Sequence, residues 1–104
     1  MAIVAVSVAP LGTGDASVSR FVAEAKRVLD KYPDLEHRLD PMFTTIQGDL
    51  RRIFEAVVEM HEAVAAMGAV RISSVIKVDD RRDSHVPMNE KVKAVERLLS
   101  EKSE

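Results

Sequence analysis

The chain has 104 residues, of which 46% are hydrophobic and 31% charged, enough to bury the core of one domain and too few for two. Its formal net charge is -2 and its aromatic content only 4%, a balance that argues against nucleic acid or an anionic membrane surface as partner. Cysteine is absent, which excludes disulfides, thiolate nucleophiles and thiolate metal sites together.

Residues 2–9 read as a first strand, because Val4, Val6 and Val8 alternate with Ala5, Ser7 and Ala9. The strand empties into Pro10-Leu11-Gly12-Thr13-Gly14-Asp15-Ala16-Ser17-Val18-Ser19. Ser17 or Ser19 is the expected N-cap of helix one. A Gly- and hydroxyl-rich loop at a helix N-terminus suits a small polar ligand, because unpaired N–H groups and the positive end of the helix dipole meet there. Val18, Val22, Ala25 and Leu29 share one face of that helix, and Pro33 ends it. Leu35 to Asp40 reads as a short, charged edge strand broken by Pro41. Met42 to Gln47 is the third strand, and Asp49 suits the N-cap of helix two. In helix two, Ile53, Val57, Met60, Val64 and Met67 form an apolar stripe that Gly68 terminates. Val70 to Val78 is the fourth strand, with Val70, Ile72, Ser74, Ile76 and Val78 on one face. A loop from Asp79 to Pro87 leads to a last helix, from about Met88 to Ser100, carrying Val92, Val95, Leu98 and Leu99.

The order βαββαβ plus a C-terminal helix predicts an α+β, ferredoxin-like antiparallel sheet in a single domain spanning 1–104, with helices on one face. The other face would show Ala5, Ser7, Ala9, Phe43, Thr45, Gln47, Val75 and Lys77 among its residues. That mixed, small and partly apolar surface predicts self-association, because a wholly solvated face would be more charged. The N-terminus lacks the pattern of a secretory leader, and no apolar run approaches the roughly 20 residues of a membrane helix. The expected location is therefore the cytoplasm, with no membrane partner.

Catalytic and metal motifs do not emerge. Gly12-Thr13-Gly14 would need a third glycine where Ser17 stands to make a dinucleotide fingerprint, and no Gly-Lys-Ser/Thr follows. Asp15 would oppose a phosphate. Asp79-Asp80-Arg81-Arg82-Asp83, with His85 nearby, places two guanidinium groups among the carboxylates, which predicts mutual ion pairs and no metal site. His37, His61 and His85 lie in separate segments, and no nucleophile–base set can be assembled from spacing. His61 borders the apolar stripe of helix two, where a packing role is expected. An RNA-binding sheet would stack bases on aromatics of strands one and three, and only Phe43 is present.

Several separate segments share a resemblance. Pro10-Leu11-Gly12-Thr13-Gly14 with Ser17-Val18-Ser19, Met42-Phe43-Thr44, Gln47-Gly48, His61-Glu62-Ala63, and Ile76-Lys77-Val78-Asp79-Asp80-Arg81-Arg82-Asp83 resemble, in order and spacing, the small thiamine-binding protein family. The resemblance runs from Ile3 to about Val95. It implies a ferredoxin-like fold, assembly into dimers or tetramers, and non-catalytic binding of thiamine or its hydroxymethylpyrimidine half, with no cofactor. Many relatives resemble this chain except for Glu where it has Gln47; a carboxylate pairs with an N–H-bearing pyrimidine edge, whereas an amide offers one acceptor and two donors. On this reading Phe43 supplies stacking, and Ser7, Thr13, Ser17, Thr45, Gln47 and Ser74 supply polar groups. The ligand is expected between the Gly12–Ser17 loop and the end of strand three, with Gln47 at the ring edge. The competing reading is a regulatory or structural oligomeric module of the same fold that binds another small molecule.

Overall fold

The computed structural model describes residues 1–14, 18–83 and 87–102. Its elements, in chain order, are β1 (Ala2–Pro10), α1 (Ser19–Leu29), β2 (Glu36–Leu39), β3 (Thr44–Gly48), α2 (Leu50–Ala66), β4 (Ile72–Asp80) and α3 (Met88–Lys102). The strands form one sheet in the order β2-β3-β1-β4, and every neighbouring pair is antiparallel. This is the ferredoxin-like arrangement expected of two interleaved βαβ halves.

The alternation in β1 sorts its side chains. Val4, Val6 and Val8 are buried, while Ile3, Ala5, Ser7 and Ala9 on the opposite face are half-buried. The valines meet Ile46 of β3, Phe21, Val28 and Leu29 of α1, and Ile53, Val57, Met60 and Val64 of α2 in one core. α1 and α2 therefore cover one sheet face, and the second face stays open. The register places Ile3 and Ala5 beside Gln47 and Thr45, and Ser7 beside Val75, on that open face.

Helix two begins as its sequence indicates: the Asp49 carboxylate accepts a hydrogen bond from the Arg52 backbone N–H. Helix one does not. Its N-cap is Val18, with no side-chain cap; Ser19 already lies in the first turn, and Ser17 lies outside the described residues. The helix also stops at Leu29, before Pro33, because the N–H groups of Asp30, Lys31 and Tyr32 fold back onto Arg27, Val28 and Leu29 in a tight turn. Strand three starts two residues late, since the Asp40 N–H bonds to the Phe43 carbonyl (2.8 Å) and spends Pro41 to Phe43 on the hairpin turn. Strand four is shifted toward the C-terminus: Val70 is 98% exposed, and Asp79 and Asp80 belong to the strand because Ile3 and Ala2 pair with them. Among the described residues no helix is long and apolar enough to cross a membrane.

Candidate functional site

β1 is longer than the neighbour that should flank it. It pairs with β4 along its whole length but with β3 only from Ala2 to Val6. The hairpin turn removes β3 at that point, so Ser7 to Pro10 face a notch between β1 and the turn. A cavity of ≈ 70 Å³ lies there, lined by Ser7, Val8, Val22, Asp40, Phe43 and Met60 among others. It adjoins a groove of ≈ 480 Å³ between α1 and the hairpin, and the two share Val22, Leu39, Asp40 and Pro41. Val18, Ser19 and Lys26 line the groove from the α1 side. The cavity alone is smaller than the roughly 300 Å³ at which small-molecule pockets begin, while cavity and groove together reach that range.

Among the described residues one acidic side chain, Asp40, faces this space. Asp40 accepts a hydrogen bond from Thr45 Oγ1 (3.1 Å), and its other oxygen lies 3.3 Å from Arg38 Nε. Ser7 and Thr44 add polar atoms to the cavity and Ser19 and Lys26 to the groove, while Val22, Phe43, Met60, and the exposed Leu39 and Met42 at the rim make the apolar part of the walls. The preceding loop turns on Gly12 and Gly14, whose φ values of 73° and 75° lie in the left-handed region that glycine adopts at low cost.

The residues singled out from sequence divide between places. Ser7 and Phe43 line the cavity, and Thr45 touches it through Asp40. Thr13 is exposed in the loop and does not line the cavity or the groove. Ser17 lies outside the described residues. Ser74 pairs with Val8 and so points to the helix-covered side, opposite to Ser7 and Thr45; strand alternation around Ser73 and Val75 requires this. Gln47 is also separated from the cavity. It sits three residues beyond Thr44, about 10 Å along the strand, opposite Ile3. Its amide is already engaged at both ends: Nε2 donates to Glu36 Oε2 (3.2 Å), and Oε1 accepts the backbone N–H of Met88. Gln47 is 7% exposed, and what it holds is the first turn of α3.

Asp40 is the residue that sequence reasoning missed. It reads as the end of an edge strand before a proline. The signal was a carboxylate beside Pro41, in a turn whose next polar residue on the same strand face is Thr45.

The charged residues at the end of β4 and just after it pair with one another and with α3. Arg81 Nε donates to Asp83 (2.9 Å) and Arg82 Nε to Asp80 (3.0 Å), while Asp79 pairs with Lys91 of α3. The Lys91 hydrogen bond holds the Asp79 carboxyl below its ordinary range, and Arg81 does the same for Asp83. Among the described residues no group of three or more His, Asp or Glu side chains is placed to hold a metal ion.

Comparison with known proteins adds the family. A family model described as thiamine-binding protein matches residues 4–96. The chain is similar to the UPF0045 protein in the glkA 3' region of Staphylococcus xylosus, at 45% identity over 97% of both chains. It is similar to the UPF0045 protein YqgV of Bacillus subtilis, at 35% identity over 95% of this chain and 98% of that one. The crystal structure of the hypothetical protein MJ1052 from Methanocaldococcus jannaschii superposes with a TM-score of 0.82 at 38% identity, covering 90% of this chain and 94% of the other.

Proposed function

Because the chain belongs to the thiamine-binding protein family, we propose that it binds thiamine or its hydroxymethylpyrimidine moiety without transforming it, as a cytoplasmic carrier, buffer or sensor. The observation that carries this reading is the family match over residues 4–96. The notch at the end of β1 supports it chemically. Thiamine has a flat aminopyrimidine and a cationic thiazolium, so its site calls for an apolar slot, a few hydrogen-bonding groups at one ring edge and an anionic partner. Phe43, Val22 and Met42 offer the slot, Ser7 the hydroxyl, and Asp40 the carboxylate. In this reading Asp40 supplies the negative group that relatives place at position 47. The protein acts as a self-associated dimer or tetramer.

Calorimetric titration with thiamine and with hydroxymethylpyrimidine tests the proposal. Saturable binding of either compound is expected. Asp40→Asn and Phe43→Ala should each weaken it about tenfold or more, equivalent to about 1.4 kcal/mol. Binding of neither compound at millimolar concentration would leave the alternative, a regulatory module for another small molecule. Steady conversion of either compound by the purified protein would overturn the non-catalytic part of the reading.

A further inference from the structure

The two edges of the sheet are built differently. β2 forms one edge with four residues, among them Glu36, His37 and Arg38, and Pro41 stands two residues beyond its end. Shortness, charge and proline are the usual guards of an exposed strand. β4 forms the other edge with nine residues, in one unbroken register with β1 and without proline. That register decides which of its backbone groups are engaged. The Leu11 N–H donates to the Arg71 carbonyl (2.8 Å), so the odd positions of β4 bond to β1 and the even positions turn outward. The N–H and C=O groups of Ser74, Ile76 and Val78 therefore face away from the sheet, and no backbone hydrogen bond among the described residues engages them.

A groove with apolar walls runs beside this edge. Arg52 and Glu59 of α2 bond Asp34 and Tyr32 on the α1 side. Helical periodicity puts Phe54 and Val58 on the opposite flank. There a groove of ≈ 680 Å³ brings them together with Leu50, Arg51 and with Arg82, which lies just after β4. Phe54 is 39%, Val58 58% and Val78 40% exposed, and Val78 shares the sheet face of its partner Val4. The charge left over in the groove is positive. Its two carboxylates are engaged by Arg52, Asp49 through the backbone N–H and Glu55 through the guanidinium. Arg82 bonds Asp80, whereas Arg51 makes no ion pair among the described residues. Lys77 stands exposed on the other face of the strand.

We propose that the β4 edge and this groove receive an extended acidic peptide segment of another protein, which adds to the sheet as a fifth strand. The outward groups of Ser74, Ile76 and Val78 supply the main-chain bonds of such an addition, and pockets for alternate side chains supply the selectivity. Successive side chains of the added strand fall on opposite faces. Apolar ones enter the groove between Val78, Phe54 and Val58. Carboxylates reach Arg51 and Arg82 at its end and Lys77 on the opposite face, where charge-assisted hydrogen bonds hold them. The edge and the groove share no residue with the notch at the end of β1, so the inference stands or falls apart from the ligand reading.

Amide exchange gives the test a signature. In the free protein the Val75 and Lys77 N–H groups, bonded to β1, should exchange slowly, and those of Ser74, Ile76 and Val78 fast. An acetylated, amidated hexapeptide alternating valine and glutamate should bind saturably and slow exchange at Ser74, Ile76 and Val78. The same peptide with lysine for glutamate, or N-methylated throughout so that it has no donors, should bind about tenfold more weakly or worse. Arg51→Glu and Phe54→Ser change exposed side chains, and each should weaken binding with circular dichroism unchanged. No saturation at millimolar peptide, or equal binding of the lysine or N-methylated peptide, would overturn the proposal without any variant having to fold. So would slow exchange at Ser74, Ile76 and Val78 in the free protein that quickens on dilution, because a second copy would then hold the edge.

Discussion

On α2 the stripe Ile53, Val57, Met60 and Val64 is at most 4% exposed, whereas on α3 Val92, Val95, Leu98 and Leu99 range from 45% to 63%. Both helices are amphipathic, and both follow a strand by a few residues. α2 lies against the sheet because the chain must cross from β3 to β4, on the other side of β1, and α2 makes that crossing. Among the described residues no strand follows α3, so no crossover there presses it onto the sheet. The comparison teaches that periodicity identifies a face to be buried, while connectivity decides whether the same chain buries it.

The largest expected effects separate these two stripes. Ile53→Ala removes a fully buried side chain from the core and should cost about 2–5 kcal/mol of unfolding free energy. The loss should be the same at every protein concentration. Leu99→Ala should cost under about 0.5 kcal/mol in dilute solution, with a larger penalty that appears as concentration rises and the second copy binds. Denaturant titrations at two protein concentrations measure both. A concentration-independent loss for Leu99→Ala would place that residue in the core of its own chain.

Gln47 is the joint between the two regions. Gln47→Ala should leave the buried Met88 N–H without its acceptor, a penalty of about 1–3 kcal/mol. The cost should fall on α3, since an isolated helix of that length is marginal in water. Reduced helical circular dichroism and faster amide exchange from Met88 onward, with α2 unaffected, are the expected outcome. If binding of thiamine fell tenfold while α3 stayed intact, Gln47 would belong to the ligand site after all.

A smaller effect distinguishes the packed side by pH. Tyr32 is 5% exposed, donates its hydroxyl to Glu59 (2.6 Å) and lies under the Arg52 guanidinium. The hydrogen bond to Glu59, then burial, raise its pKa to about 12. A raised pKa in the folded state means that the neutral phenol stabilises the fold. That contribution is whole below the ordinary phenol value of about 10 and is lost as pH rises toward 12. Tyr32→Phe should cost about 1 kcal/mol at neutral pH and flatten the alkaline decline in Tm. The chain has one tyrosine and no tryptophan, so ultraviolet absorbance follows this titration without interference.

The architecture was legible because the evidence for it is local. Val4, Val6 and Val8 announce a half-buried strand, and Asp49 with Ile53 and Val57 announces a capped helix. The element order then leaves few topologies. The site was less legible because it depends on where a strand stops pairing. Residues 42–47 read as one strand, and the turn bond from Asp40 to Phe43 that shortens β3 and opens the notch is a tertiary event with no periodic signature. Gln47 was singled out for its amide, whose two ends bond Glu36 and the Met88 N–H. The Met88 N–H that occupies its carbonyl lies 41 residues away, and no spacing rule reaches that far. Ser74 shows the opposite case: alternation alone already placed it on the helix side.

The smallest expected effect concerns the charged segment after β4. Arg82 binds Asp80 at 3.0 Å, yet its side chain is 84% exposed, and water competes for both partners. Exposed pairs of this kind contribute little, so Arg82→Ala should lower Tm by under about 4 °C for a domain of this size. Salt near 1 M should erase even that, since the screening length there falls to about 3 Å, the separation of the pair. The comparison with Asp79 sharpens the point. Asp79 pairs with Lys91 across two elements and so helps hold α3 at the sheet, whereas Arg82 and Asp80 are two residues apart and tie nothing together. Lys91→Ala should therefore loosen the start of α3 more than Arg82→Ala does, as read by amide exchange at Val92. An Arg82→Ala variant that lost more than about 8 °C would show that Arg82 is buried in the assembled protein, and would move the segment from the solvent-facing rim into the contact between copies.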